Sequence, residues 1–181
     1  KNSSVVNFLF SFKQQLDNLG LALNAPWLWN ASFAFDASIK GLVALSSGRK
    51  VVIATEEQSR DPVSIVDLLR QHKVSVFNSM PMMVEQVVDV LAEQQDLPMN
   101  IISSGEDIPE RIWKKVAVYC QSAGTRAINA YGPTETTVNA CYGHIELNQP
   151  VNMGKALANT LCYVLDQNLK PVPVGAKGEL Y

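Results

Sequence analysis

The chain has 181 residues, of which 47% are hydrophobic and 18% are charged, and its net charge is −2. This is the composition of a globular protein with a real core, and the charge gives no basic patch of the kind that binds nucleic acid or an anionic membrane. The apolar runs are too short to span a bilayer. Three scattered cysteines without paired spacing favour reduced thiols in the cytoplasm over a zinc site.

The first half of the chain predicts alternating helices and strands. Residues 3–18 and 38–48 have helical patterns, whereas the apolar segments 26–32 and 50–55 are typical of extended chain. A helix is predicted to begin at Asp61, with Asp61 as N-cap and Pro62 at the first helical position. A strand over 74–78 and a helix to about residue 94 follow.

The second half continues the alternation as far as residue 131 and then changes. A strand is predicted over 100–104, a helix over 109–120 and a strand over 125–131; the helix has one apolar face, formed by Ile112, Trp113, Val116 and Tyr119. Short strands alternating with helices predict an α/β fold with a largely parallel sheet and crossover helices. The segments 161–166 and 178–181 predict a C-terminal β-hairpin region.

These patterns divide the chain into an α/β subdomain over 1–145 and the start of a β-rich subdomain over 146–181. The chain opens on a helix and stops within a predicted strand, so we expect it to be a piece of a longer protein.

Polar motifs follow four of the predicted strands. They are "FDAS" (35–38), Asn78-Ser79, "SSGED" (103–107) and "AYGPTETT" (130–137). Ligands of parallel α/β sheets bind beyond the carboxyl ends of the strands. We therefore expect these motifs to converge on one cleft.

The residue types in this cleft favour a phosphorylated ligand. Gly105 and Gly132 would let backbone amides approach closely, and Tyr131 offers a ring face for stacking on a base. Thr134 and its neighbouring threonines can donate to phosphate oxygens, and Glu135 is an oxygen ligand suited to Mg²⁺. The combination predicts phosphoryl or nucleotidyl chemistry with Mg²⁺.

Each motif also has a purely structural interpretation. "GPTE" alone is typical of a turn with a threonine-capped helix, "SGED" of a strand-to-helix turn, and Asp36 with Ser38 of a helix cap. His72 suits a helix end, and His144 has no assigned role. A core position is the expectation for four aromatic residues: Trp27, Trp29, Phe33 and Phe35.

The order of the motifs favours the functional interpretation. "NASFAFDAS", "SSGEDIP", "INAYGPTETTV" and "LDQNLKPVPVGAKGELY" together resemble the middle of an amino-acid adenylation domain of a nonribosomal peptide synthetase. That family belongs to the adenylate-forming superfamily, with the acyl-CoA synthetases and luciferases. The resemblance covers essentially the whole chain, and "FDAS" is the element that points to an amino-acid substrate.

The resemblance implies a role for each matching residue of the segment "NAYGPTETT" (129–137), which we call the nucleotide loop. Thr134 would bind the α-phosphate of ATP, and Glu135 would ligate Mg²⁺, so that both act in catalysis. The remaining nucleotide contacts implied are Gly105, Glu106, Asn129, Ala130, Tyr131 and Gly132, with Tyr131 stacking on adenine. The product, an aminoacyl-AMP, would be transferred to the phosphopantetheine arm of a carrier-protein domain.

The resemblance also implies an amino-acid pocket. Asp36 would pair with the α-ammonium, leaving Lys40 as the only formal charge facing the substrate side chain, which favours an acidic amino acid. The alternative is that Lys40 extends out to solvent and leaves a small polar pocket. The pocket residues implied are Asp36, Ala37, Lys40, Asn78, Ile102, Ser104, Ala130, Val138 and Asn139.

The chain departs from the family pattern at two positions. Ser104 replaces the first glycine of the family's usual Gly-Gly-Glu motif, which reads Ser104-Gly105-Glu106 here. Gly41 occupies a position at which the family often has an acidic or amide residue. The family's phosphate loop, ribose-binding Asp and catalytic Lys have no match in these residues, so we expect the chain by itself to fold without catalysing. An acyl- or aryl-CoA ligase and a non-catalytic scaffold are the alternative functions; Asp36 argues against the first, Thr134 and Glu135 against the second.

Overall fold

A central sheet lies between two groups of helices in the computed structural model, which describes residues 2–20, 24–94 and 97–181. The predicted helices are present, with boundaries shifted by a few residues. Their bounds are α1 Asn2–Asn18, α2 Ile39–Ser46, α3 Pro62–Gln71, α4 Pro81–Gln94 and α5 Glu110–Ala123. Short 3₁₀ helices occupy Asp36–Ser38, Gln58–Arg60 and Thr134–Thr136.

Local sequence signals explain where several helices begin and end. The Asp61 carboxylate accepts a hydrogen bond of 2.8 Å from the Ser64 backbone N–H, which confirms the predicted N-cap of α3. His72 is the C-cap of the same helix, as its predicted helix-end position requires. Helix α5 ends at Gly124, whose φ of 66° lies in the left-handed region that glycine adopts without strain.

The strands form one main sheet and two small pairs. Strands β3 (Val76–Ser79), β4 (Asn100–Ser104) and β5 (Ala127–Tyr131) are parallel, and β6 (Cys141–His144) and β7 (Lys155–Ala156) extend the sheet antiparallel in the order β3-β4-β5-β6-β7. Strands β1 (Trp27–Trp29) and β2 (Val51–Ile53) pair in parallel. The α/β fold with a largely parallel sheet is confirmed, and β6 and β7 are strands that the sequence patterns did not predict.

Alternation along the strands separates two apolar clusters. Val76, Ile102 and Ile128 face α1 and α2, whereas Phe77 and Ile101 face α3, α4 and α5. Successive side chains of a strand point to opposite faces, so each strand contributes to both clusters. The buried face of α5 is the predicted one, with Ile112, Trp113, Val116 and Tyr119 all inside.

Two of the four aromatic residues expected in the core lie outside it. Trp27 and Trp29 are buried, but Phe33 and Phe35 are 70% and 69% exposed. They occupy the connection between β1 and α2, and no helix or sheet among the described residues covers them. The core prediction was wrong for these two residues.

The predicted C-terminal hairpin is present as a short antiparallel pair, β8 (Val164–Leu165) with β9 (Glu179–Leu180). Strand β7 and the buried Leu157 lie after residue 145 and still belong to the main sheet and its core. The division at residue 145 stays a prediction. Among the described residues no helix is both long and apolar enough to cross a bilayer.

Candidate functional site

The carboxyl ends of β3, β4 and β5 lie side by side and bring the predicted pocket residues onto one face. The register pairs Asn78 with Ile102, and Ser104 with Ala130. These four residues have the strand parity of the cluster that faces α1 and α2, and all four are buried. Val138 belongs to the same cluster and Asn139 is buried beside it in the chain.

Helix α2 packs on this face of the sheet and places the buried ammonium group of Lys40 against it. Lys40 is only 2% exposed, and its Nζ donates hydrogen bonds of 3.0 Å to Asn78 Oδ1 and 2.8 Å to Ser104 Oγ. The alternative in which Lys40 extends to solvent is therefore wrong. Burial lowers the pKa of Lys40 from 10.5 to about 7, and the negative charge of Asp36 partly opposes that shift.

The glycine at position 41 has a packing explanation. A Cβ on Gly41 would lie 2.3 Å from Cε3 of Trp29, so any larger residue would push α2 away from β1. The family's acidic or amide side chain cannot occupy this space while the Trp29 ring lies there. The Trp29 indole N–H donates to the carbonyl of Ala31 at 2.9 Å, which holds the ring in place.

Asp36 and Ala37 lie in the 3₁₀ turn that leads into α2, and both are partly exposed. Neither Asp36 nor Ser38 makes a side-chain capping hydrogen bond, so the capping interpretation is not supported. Asp36 precedes Lys40 by about one helical turn, which places both charges at the same end of α2.

The loop after β5 reverses the chain sharply. A Cβ on Gly132 would lie 2.6 Å from the Asn139 Cα, so glycine is required for the close approach of the two ends of the loop. Thr137 and Val138 both have a φ of 70°, a left-handed conformation that is strained for β-branched residues. Such strain often accompanies functional loops.

The tip of this loop presents Thr134 and Glu135 to solvent. They form a 3₁₀ turn with Thr136, and the turn has no side-chain cap, which argues against the interpretation of "GPTE" as a capped helix. Within the described residues there is no cluster of three or more His, Cys, Asp or Glu side chains. A single exposed carboxylate suits a Mg²⁺ ion whose other ligands are phosphate oxygens and water.

The other residues predicted to contact nucleotide line the end of the sheet near this loop. Asn129 is buried and donates from Nδ2 to the Asn152 carbonyl at 2.9 Å, whereas Tyr131 is 39% exposed and its ring is available for stacking. Gly105 and Glu106 are exposed beyond β4, and Gly105 has a φ of 97° that favours glycine. Along β5, residues predicted to contact the nucleotide therefore lie next to a residue predicted to contact the amino acid.

Two supporting residues were missed by sequence reasoning. The Tyr142 hydroxyl donates to Asn139 Oδ1 at 3.4 Å, and the Asn152 carbonyl orients Asn129. Burial raises the pKa of the Tyr142 phenol, so the hydroxyl keeps its proton and acts as a donor. No sequence signal identified either residue, because Tyr142 lies in the unpredicted β6 and Asn152 in a loop.

Comparisons with known proteins identify the family of the chain. The family model described as "AMP-binding enzyme" matches residues 2–181. Vanchrobactin synthetase VabF of Vibrio anguillarum is 30% identical over 93% of the chain, and bacitracin synthase 3 of Bacillus licheniformis is 39% identical over 83%. The chain spans only 6% and 2% of the length of these two relatives.

Solved structures show the same fold. The four-domain nonribosomal peptide synthetase holo-AB3403, bound to AMP and glycine, matches 98% of the chain with 29% identity and a TM-score of 0.78, and the chain covers 13% of it. The nonribosomal peptide synthetase FmoA3 matches 98% of the chain with a TM-score of 0.84 at 24% identity, and the chain covers 19% of it.

Proposed function

The chain belongs to the AMP-binding enzyme family, and from that premise we propose that it forms the substrate-binding core of an amino-acid adenylation domain within a longer nonribosomal peptide synthetase. Such a domain activates an amino acid with ATP, giving aminoacyl-AMP and pyrophosphate. Relatives that are themselves peptide synthetases support this proposal. The roles of individual site residues below are part of the proposal.

The observation that carries it is the convergence of α2 with three strand ends. Lys40 contacts Asn78 and Ser104 on this face, and the loop that carries Thr134 begins two residues after Ala130, where β5 ends. A ligand bound against this face would place its own carboxylate near the loop that carries Thr134. This is the arrangement that bond formation between a carboxylate and a phosphate requires.

The reaction proceeds by in-line displacement at the α-phosphorus. A carboxylate oxygen of the amino acid forms a bond to phosphorus, and the bond to the pyrophosphate oxygen breaks. Asp36 holds the α-ammonium, Thr134 donates to the α-phosphate, and Tyr131 stacks on adenine, so that the reacting atoms are aligned before the reaction. Glu135 would hold Mg²⁺, and the ion would neutralise the charge that develops on the phosphate oxygens.

The second half of the reaction needs a partner. The aminoacyl group passes to the phosphopantetheine thiol of a carrier-protein domain, with AMP as leaving group. We expect this partner within the same polypeptide, because both relatives are synthetases far longer than this chain. We place the reaction in the cytoplasm, where ATP is available.

Amino-acid-dependent exchange of pyrophosphate into ATP by the full-length protein tests the function. The variant Asp36→Asn should raise KM for the amino acid, because the α-ammonium loses its charged partner. Asp67→Asn is the matched control, since Asp67 lies on the exposed face of α3 with its side chain 66% exposed. Exchange that requires a carboxylic acid without an α-amine would identify a CoA ligase, and no exchange with any acid would identify a scaffold.

We expect the purified 181-residue chain not to form aminoacyl-AMP. The chain's lysines do not match the family's catalytic lysine, and Lys40 is committed to the buried pocket. Mass spectrometry of a reaction with ATP and the preferred amino acid would detect the adenylate, and its formation by the chain alone would contradict this expectation.

A further inference from the structure

Lys40 is a buried cation with one unused hydrogen-bond donor. A lysine ammonium carries three N–H donors. The Lys40 ammonium donates two hydrogen bonds, to Asn78 Oδ1 at 3.0 Å and to Ser104 Oγ at 2.8 Å. Among residues 2–20, 24–94 and 97–181, no acceptor is found for the third donor.

The charge of this ammonium also lacks an ion-pair partner. Asn78 and Ser104 are neutral, and within the described part of the chain no carboxylate lies within the 4.0 Å of Nζ that defines a salt bridge. Asp36 acts on Lys40 only at longer range. A buried charge is costly unless it is paired, and the pKa of the unliganded Lys40 falls to about 7 for this reason. A ligand carboxylate next to Nζ would supply the missing counter-ion and favour the charged form.

We propose that the amino acid selected by this site carries a side-chain carboxylate, as aspartate and glutamate do, and that Lys40 is the residue that recognises it. This rests on the proposed function. The α-ammonium pairs with Asp36 and the side-chain carboxylate accepts from Lys40, so two opposite charges of the substrate meet two opposite charges of the site. Lys40 then has three acceptors and a counter-ion.

Other side chains match this site less well. An apolar side chain leaves the ammonium unpaired, and a basic side chain adds a second positive charge next to it. An amide can accept the third hydrogen bond but brings no negative charge. Ile102, Ala130 and Val138 belong to the buried apolar cluster on this face of the sheet, and apolar surroundings strengthen a charge-assisted hydrogen bond.

A purely structural role for Lys40 is the competing explanation. In that case the ammonium would only hold α2 against β3 and β4, and its removal would affect every amino acid equally. A role in recognition instead makes the effect depend on the substrate side chain. The ratio of activities with an acid and with its amide therefore distinguishes the two roles.

The experiment measures kcat/KM for ATP–pyrophosphate exchange by the full-length protein with Glu, Gln, Asp, Asn and Leu. The variants are Lys40→Met and, as a matched control, Lys114→Met on the exposed face of α5, where the lysine side chain is 61% exposed. Methionine has about the volume of the lysine stem, and the Ser104 hydroxyl can still donate to Asn78 Oδ1 at 3.2 Å. The pocket therefore keeps its remaining hydrogen bond in the variant.

We expect the wild type to prefer Glu or Asp over the corresponding amide by a factor on the order of 10². Lys40→Met should abolish that preference while exchange with Gln or Leu persists, and Lys114→Met should behave like the wild type. A wild-type preference for Leu, or an equal loss with all five amino acids in Lys40→Met, would overturn the inference and leave the proposed function intact. Absence of exchange with every amino acid would instead overturn the proposed function, and the inference with it.

Discussion

Replacing Lys40 with methionine should change how the stability of the chain depends on pH. Burial lowers the pKa of Lys40 from 10.5 to about 7. Between these two pH values the unfolded chain holds a proton on Lys40 that the folded chain has released. The free energy of unfolding therefore rises with pH in this window, by about 1.4 kcal/mol for each pH unit well inside it. Below pH 7 both states are protonated and the full cost of burying the charge is present.

Urea unfolding of the purified chain measures this effect. The free energy of unfolding of the wild type minus that of Lys40→Met should increase by roughly 2 to 3 kcal/mol between about pH 7.5 and 9.5. Cysteine and tyrosine side chains that titrate at high pH are present in both proteins, so their contributions cancel. Lys114→Met should instead show the same pH dependence as the wild type. A wild-type-minus-Lys40→Met difference that stays constant over this range would refute the desolvation argument.

Three further predictions concern the nucleotide loop and the thiols. In the full-length protein, Glu135→Gln should lower kcat for exchange more than it raises KM for the amino acid, because the metal contact matters most as charge develops; unchanged kcat at saturating Mg²⁺ and ATP would contradict the assignment. Gly132→Ala should destabilise the domain by about 1 to 3 kcal/mol, since the added Cβ meets the Asn139 backbone at 2.6 Å. Unaltered urea unfolding would show that the loop relaxes freely. Cys141 and Cys162, whose sulfurs lie 3.5 Å apart, should form a disulfide on treatment with hydrogen peroxide, with two thiols and one peroxide giving the disulfide and two waters. Peptide mapping without reductant would reveal the cross-link, and its absence would show that the two thiols do not meet.

The predictions that were confirmed rest on local signals. The N-cap at Asp61, the apolar face of α5 and the strand at 100–104 each follow from residues close in sequence. Strand β6 was missed because its four residues include a glycine and a histidine and show little β pattern. Its conformation depends on pairing with β5, a contact between separate segments of the chain.

Within the site, the conformation of Lys40 also depends on contacts between separate segments of the chain. The motif predicted that Lys40 belongs to the pocket, but it did not predict the direction of the side chain. That direction depends on how closely α2 packs against β1, and Gly41 allows that approach by leaving room for the Trp29 ring. The converse case is that of Phe33 and Phe35, since their hydrophobicity alone could not reveal that they are exposed.

The most direct test of the proposed site is a crystal structure of the full-length protein with a non-hydrolysable glutamyl-adenylate analogue. We expect adenine against Tyr131, the linkage that replaces the α-phosphate beside Thr134, the α-ammonium at Asp36 and the side-chain carboxylate on Nζ of Lys40. An analogue bound away from the ends of β3, β4 and β5, or with its side chain turned away from Lys40, would contradict these assignments.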